Sequence, residues 1–283
     1  MNLTKPFFIL APMDDVTDTV FRQIVADCAK PDLFFTEFVN VDGLQSPGRP
    51  HLLPKLLLTD KEKPVIAQVW GLKPDNYYKT TQELKNMGFA GVDINMGCPA
   101  KTVVKNGACS ALINNKPLAG EIIDAVREAA GSDFPVSVKT RVGFTSVDMS
   151  WPEFLLSKKL NMLSIHGRTR AEMSKVPANW ELIGEIVKMR DALCPSTLIV
   201  GNGDVRNRQH GLELIEKYNL DGVMIGRGIF DDPFVFAERS PWSGWTKDQK
   251  LNLFKKHIEL HVETYKNRER RFETLRKFCK VYN

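Results

Sequence analysis

The sequence predicts an α/β protein: a (β/α)8 TIM barrel over residues 1–240 and a short C-terminal helical domain over 241–283. Three observations lead there. Eight short runs rich in β-branched and aliphatic residues, bounded by Gly, Pro or Asp, read as buried parallel strands. Segments with helical spacing separate most of them. Eight such repeats over about 230 residues match this barrel in number and size. A doubly wound sheet shares the alternation, but no GxGxxG fingerprint follows the first strand.

The strands are expected at 7–13 (FFILAPM), 33–38 (LFFTEF), 65–70 (VIAQVW), 91–96 (GVDINM), 136–142 (VSVKTRV), 162–167 (MLSIHG), 198–203 (LIVGNG) and 222–228 (GVMIGRG). Helical spacing marks TDTVFRQIVADCAK, KPDNYYKTTQELKNMG, LAGEIIDAVREAAG, WELIGEIVKMRDAL and RNRQHGLELIEKYN. Pro74 and Pro117 stand near helix starts, where a missing N–H costs least. Gly88 and Gly131 stand where C-caps are expected. After residue 240 the strand pattern stops. SPWSGWTKDQ reads as a linker and helix cap, followed by a helix with Leu253, Phe254, Ile258, His261, Val262 and Tyr265 as its apolar stripe. About 40 residues are too few for an independent core, so this part is expected to pack on the barrel.

Composition narrows the function classes. With 43% hydrophobic and 26% charged residues, the chain is not a disordered one. No apolar run approaches the ~18 residues of a membrane span, and FFILAPM fits a first strand better than a secretory signal. The five cysteines are odd in number and scattered, which suits neither a disulfide framework nor a CxxC zinc site, so a reducing cytoplasm is expected. His257 and His261 are spaced i, i+4 but lack a HExxH arrangement, and no metal is expected. The net charge of +5 is unevenly spread. From Lys247 onward there are eleven Lys/Arg and five Asp/Glu, so the rest of the chain is near neutral. Such a cationic appendage is either a solvated helix face or a means of attracting a phosphate backbone.

In this barrel the active site forms at the C-terminal strand ends, and polar residues crowd there. They include Thr36-Glu37, Gln68, Asn95 before Gly97-Cys98-Pro99, Lys139 and Arg141, His166-Gly167-Arg168, Gly201-Asn202-Gly203-Asp204, and Gly226-Arg227-Gly228. The last two groups put small residues and free N–H groups at the usual phosphate position of such barrels, with Arg227 supplying charge. The bland alternative is two tight turns that need glycine's positive φ. Lys139 and His166 lie on buried strands and need partners. Those are either protein groups or an anionic cofactor. Gln68 can donate and accept together, which suits the edge of a heterocycle. Cys98, in a Gly-Cys-Pro turn, should face the mouth. At an ordinary thiol pKa of about 8.5 it is protonated at neutral pH and fit for general-acid work. The alternative is a nucleophile, but no histidine is nearby in sequence to activate it and His166 is the only barrel candidate. Cys109 is intermediate between a buried thiol and a site residue, because NGACSALI could bring it near the same mouth.

Taken in order, APMDDVTDTVFRQ, the Gln68 strand, DINMGCPAKTVVKNGACSAL, VSVKTRVGF, IHGRTRAEM, GNGDV and IGRG resemble the tRNA-dihydrouridine synthases, from about residue 8 to 236. The resemblance implies an FMN barrel that reduces the C5–C6 double bond of uridines in tRNA, with NADPH as reductant; a monomer is expected. By motif, it places Pro12 and Met13 against the flavin, Gln68 and Lys139 at its polar edge, and His166 in contact with it. It puts Asn202, Gly203, Asp204, Gly226 and Arg227 at the ribityl phosphate. It makes Cys98 the proton donor and Asn95 a placer of the target uracil. Lys101, Lys105, Arg168 and Arg170 would meet tRNA phosphates or the flipped nucleotide. Members carry a longer C-terminal helical domain after a segment like RRFETLRKFCKVY, where this chain ends, and Met173 and Val176-Pro177 stand where an aromatic and a glycine are expected. A dihydroorotate-dehydrogenase-like barrel acting on a free pyrimidine also uses Asn and Cys-Pro near its fourth strand, but the cationic tail and HGRT segment speak against it.

Overall fold

The computed structural model describes residues 3–266 and 270–282. Residues 267–269 of the cationic run, like 1–2 and 283 at the limits of the two expected domains, lie outside the described residues. The first half contains β1 (Phe7–Leu10), α1 (Thr19–Ala29), β2 (Leu33–Phe35), β3 (Val39–Asn40), α2 (Val41–Leu44), β4 (Val65–Trp70), α3 (Pro74–Asn86), β5 (Gly91–Met96), α4 (Lys101–Lys105) and α5 (Lys116–Ala130). The second contains β6 (Val136–Arg141), α6 (Ser150–Ser157), β7 (Met162–His166), α7 (Trp180–Leu193), β8 (Leu198–Asn202), α8 (Arg208–Tyr218), β9 (Gly222–Ile225), α9 (Gly228–Asp231) and α10 (Lys247–Thr264). All strand pairs are parallel. The order β2-β1-β9-β8-β7-β6-β5-β4 closes through a β2–β4 pairing into an eight-stranded barrel, with β3 added on β4. This is the expected TIM barrel.

The second strand departs from the expected 33–38. It ends at Phe35 and resumes as β3, because the Thr36 hydroxyl enters the ladder. Its Oγ1 accepts from Gln68 N at 3.0 Å and donates to Glu37 O at 2.6 Å, taking the place of a backbone partner. The helices start where their caps stand: Asp18, Asn115, Asn179 and Asn207 each accept from a first-turn N–H, contacts worth about 1 kcal/mol apiece. Pro74 and Pro117 do occupy first-turn positions, and Gly88 and Gly131 have φ of 82° and 67° beyond helix ends.

Two apolar clusters define the layers. Phe8, Leu10, Phe34, Val92 and Ile94 pack outward under the helices. Phe7, Ile9, Leu33, Phe35, Ile66, Met162, Val200 and Met224 fill the barrel interior. Strand alternation therefore turns Gln68, Asp93, Asn95, Ser137, Lys139, Ser164, His166 and Asn202 inward as well. The interior is apolar along β1 and β2 and polar along the upper halves of β4 to β8.

The C-terminal segment packs on α1. Its buried stripe is Leu253, His257, His261 and Tyr265, with spacing of four, while Val262 is 56% exposed. Val262 was expected inside. The helix is rotated because Phe278 and Tyr282 return to cover His257, whose Nδ1 lies 3.0 Å from Tyr282 Oη. Burial pushes His257 down to about 3. Arg270 grips the buried Glu37 with both Nη atoms, and Tyr265 Oη donates to Asp18 at 3.2 Å.

Candidate active site

At the C-terminal ends of β1 and β6–β9 lies a cavity of about 780 Å³. Strand parity aims Lys139, His166 and Asn202 into it, and the loops after β1, β8 and β9 add Pro12, Met13, Gly203, Asp204, Gly226 and Arg227. Lys139 Nζ donates to Asn202 Oδ1 at 3.0 Å, and Asn202 Nδ2 donates to Met224 O at 2.9 Å. Asn202 thus presents only an acceptor to the lysine, because its amide nitrogen is held from below. Arg206 lines the same wall. Sequence reading passed over it, although it directly follows the GNGDV motif.

The wall is cationic. Lys139 falls to about 8, through burial and then the neighbouring Arg141, which itself falls to about 10 through burial and Arg168. Burial and the charges of Lys139, Arg141, Arg168 and Arg227 hold His166 far below the ordinary imidazole range, so it is neutral. A cavity whose cations depress one another in this way gains from an anion. Its size lies within the ~300–1,000 Å³ of small-molecule and cofactor sites. Gly203 keeps it open: φ is 125°, and a Cβ there would come within 2.6 Å of the Ala178 Cβ and 3.2 Å of His166 Cδ2. These features fit a phosphate-bearing planar cofactor.

Asp204 and Arg168 have bonding partners that the motifs alone did not convey. The Asp204 side chain, expected at a phosphate, is an anion and is already engaged. It pairs with Arg168, accepts from Arg227 Nη2 at 2.9 Å and accepts from Ala178 N at 2.9 Å. Its two oxygens thus tie the Arg168 and Arg227 side chains together at the rim of the cavity. Arg168, expected near the mouth to meet tRNA phosphates or the flipped nucleotide, lines the cavity but is only 2% exposed. Its Nη1 lies 2.9 Å from His166 Nε2 and its Nε donates to Val176 O at 2.5 Å. Arg170 stacks on Phe144 with its guanidinium carbon 5.2 Å from the ring centroid. Lys101 and Lys105 are exposed on α4.

Gln68 stands apart from the cavity lining. It is fully buried, its Nε2 donates to Asp93 Oδ2 at 2.8 Å, and its Oε1 accepts from Asn95 Nδ2 at 3.0 Å. Asn95 Oδ1 in turn accepts from Gly97 N at 3.1 Å and Cys98 N at 2.9 Å. Asp93 was not singled out in the sequence, although a carboxylate amid the aliphatic run GVDINM was a visible anomaly.

Cys98 is half-buried beyond the end of β5. Arg141 Nε holds Gly97 O at 2.8 Å, and Ser110 Oγ donates to Cys98 O at 2.8 Å. Cys109 precedes that serine with a φ of 53°, a left-handed geometry uncommon for a residue with a Cβ. Its thiol donates to Cys98 and brings Cys98 down to about 6 against the opposing effect of burial, with the Ala100 N–H assisting. The same bond and burial push Cys109 well above the thiol range. The ordinary thiol pKa expected from the sequence is thus replaced by a strongly depressed one. Sequence could not supply this, because the two sulfurs meet only through the fold.

The dihydrouridine synthase (Dus) family model matches residues 9–283. The chain is 47% identical to "Probable tRNA-dihydrouridine synthase 2" of Bacillus subtilis (strain 168), across 99% of this chain and 86% of that protein. It is also 47% identical to "Probable tRNA-dihydrouridine synthase" of Staphylococcus aureus (strain COL), across 99% and 85%. Among solved structures, 2-naphthoyl-CoA reductase superposes with a TM-score of 0.63 at 12% identity, covering 85% of this chain and 50% of that one. Morphinone reductase gives 0.55 at 14%, covering 82% and 85%. At such identities the likeness is one of fold. Among the described residues no helix is long and apolar enough to cross a membrane.

Proposed function

We propose, from the premise that this chain belongs to the dihydrouridine synthase family, that it reduces uridine in tRNA to 5,6-dihydrouridine with FMN in the cationic cavity. The observation that carries the reading is that wall of Lys139, Arg206 and Arg227 around neutral His166. Bound there, FMN reduced by NADPH would supply hydride to C6 of the uracil. Arg206, Arg227 and the Gly203 and Gly226 loops would hold the phosphate, and Pro12 and Met13 would lie against the ring. Lys139, oriented by Asn202, would place its positive charge beside the bound cofactor.

Cys98 donates its proton to C5. A thiol near 6 is a strong acid for this step, because the thiolate left behind already has the Cys109 proton and the Ala100 N–H directed at it. Its protonated fraction shrinks as pH rises above about 6, so the acid step is expected to weaken through neutrality. Asn95, at the base of the turn, helps place the uracil. The base must leave its stack to reach the cavity, and Lys101, Lys105 and Arg170 are available to steady the surrounding RNA. The 241–283 region adds cations, though not all are free: Arg270 is spent on Glu37 and Lys256 pairs with Asp27 at 2.8 Å.

The test mixes protein, NADPH and tRNA lacking dihydrouridine, then digests the RNA. The expected result is a two-hydrogen mass gain on uridine at one or a few positions, with Cys98→Ala slower by about 10²–10⁴-fold, the usual worth of a general acid. An unchanged rate in Cys98→Ala would remove the proton-donor assignment. No mass gain from a flavin-loaded, NADPH-reducible protein would remove the tRNA substrate.

A further inference from the structure

The barrel interior contains a hydrogen-bond chain that joins a buried carboxylate to the Cys98 turn. Asp93 is directly opposite Gln68 on β4 and Ser137 on β6 in the strand register. Ser137 Oγ donates to Asp93 Oδ1 at 2.6 Å and Gln68 Nε2 donates to Oδ2 at 2.8 Å. The chain continues through Gln68 Oε1 and Asn95 to the backbone N–H groups of Gly97 and Cys98. Asp93, Gln68 and Ser137 are 0% exposed and Asn95 is 6% exposed.

An amide side chain can turn over, exchanging its donor for its acceptor. Neither amide here is free to do so. A backbone N–H can only donate, so it dictates that Asn95 Oδ1 faces the turn and Nδ2 faces Gln68. A carboxylate oxygen accepts, so it dictates that Gln68 Nε2 faces Asp93. The two ends demand the same polarity, and only one arrangement satisfies every member. We infer that Asp93 is a positioning residue that acts through the amides of Gln68 and Asn95 to hold the backbone of the Cys98 turn. This role goes beyond the family reading of Gln68 and Asn95 as ligand contacts. Its relevance to proton delivery rests on the Cys98 assignment above.

Polarity, not charge, is the requirement. Burial raises the Asp93 carboxyl to about 6, yet the chain keeps its direction when that group is neutral. A protonated Asp93, or an asparagine, would still offer one oxygen to Gln68 and donate to Ser137. The Ser137 hydroxyl would then turn to Val92 O, 3.5 Å away.

The experiment measures amide hydrogen exchange at Gly97 and Cys98 in the full chain without substrate, so its outcome does not depend on the tRNA reading. In Asp93→Leu, exchange at these two amides is expected to quicken at least tenfold, with amides in the middle of β5 and β6 changing much less. Asp93→Asn should restore exchange to within about threefold of the parent. Gln68→Met cuts the chain at its middle and should repeat the Asp93→Leu pattern, which keeps the test open if that variant does not fold. The inference is overturned if Asp93→Asn behaves as Asp93→Leu, if quickening is uniform along the strands, or if Gln68→Met leaves the two amides unchanged. If the exchange pattern appears while turnover of tRNA is absent in every form, the positioning role stands and the substrate assignment fails.

Discussion

Replacing Asp204 with alanine removes the only carboxylate that pairs with Arg168 among the described residues. Three accepted hydrogen bonds are lost together. The Arg227 bond joins side chains 66% and 37% exposed, so it contributes about 0–1 kcal/mol. The Ala178 N–H adds about 1 kcal/mol. The Arg168 bond is charge-assisted and its arginine side chain is only 3% exposed, so about 1.5–3 kcal/mol is expected. Water reaches the half-open Asp204 side and recovers part of the sum, so the expected loss is about 2–3 kcal/mol. Urea unfolding of the flavin-free protein, with the m-value unchanged, reads it directly. Pairing with Arg168 holds the Asp204 carboxyl below its ordinary 3.8. Its contribution is therefore complete above that pH and lost as pH falls through the lower folded value. The gap between parent and variant should be constant from about pH 7 to 5 and narrow below about 4. A double-mutant cycle with Arg168→Met should show coupling of about 1 kcal/mol or more. A loss under about 0.5 kcal/mol, or no coupling, would refute the view that Asp204 organises this cluster.

Three other outcomes are expected. Alkylation of Cys98 by iodoacetamide should follow an inflection near pH 6 in the parent, and Cys109→Ala should move it upward toward the ordinary thiol range of about 8.5; an unmoved inflection would exclude Cys109 as the cause. Arg168 can only donate, so His166 Nε2 must carry the lone pair: nitrogen NMR should find a neutral Nδ1–H imidazole from about pH 5 to 8, and protonation in that interval would contradict the cationic wall. Arg270→Ala strands the fully buried Glu37, leaving it the Asp15 N–H at 2.6 Å and Lys55 at 3.7 Å; the expected cost is about 2–4 kcal/mol, with proteolysis concentrated in 270–282, and protection equal to the parent would show that the segment is held by its aromatic packing alone.

Much of the architecture was legible in the chain. Aliphatic runs separated by helical spacing sufficed for the eight barrel strands, because a strand buried on both faces must be continuously apolar. For the same reason its polar exceptions stand out, and Lys139, His166 and Asn202 could be expected at the barrel mouth, where they line the cavity, whereas Gln68 and Asn95 lie outside its lining. Glycine at 203 was readable too, since tight strand-to-helix turns need it.

Only the tertiary structure decided what those side chains are bonded to. Arg270 and Glu37 are 233 positions apart, and the Cys109 thiol acts on Cys98 from a separate loop. No local pattern encodes either meeting. In strands with both faces apolar, hydrophobic contrast cannot say which alternate residues point inward, so Asp93 passed unremarked until closure of the barrel set its parity. Arg168 shows the same limit: its charge was plain in the sequence, but its direction depended on Asp204, contributed by a different strand end. The sequence determined which groups the site contains. Closure and burial determined which of them pair, and so which remain free to act.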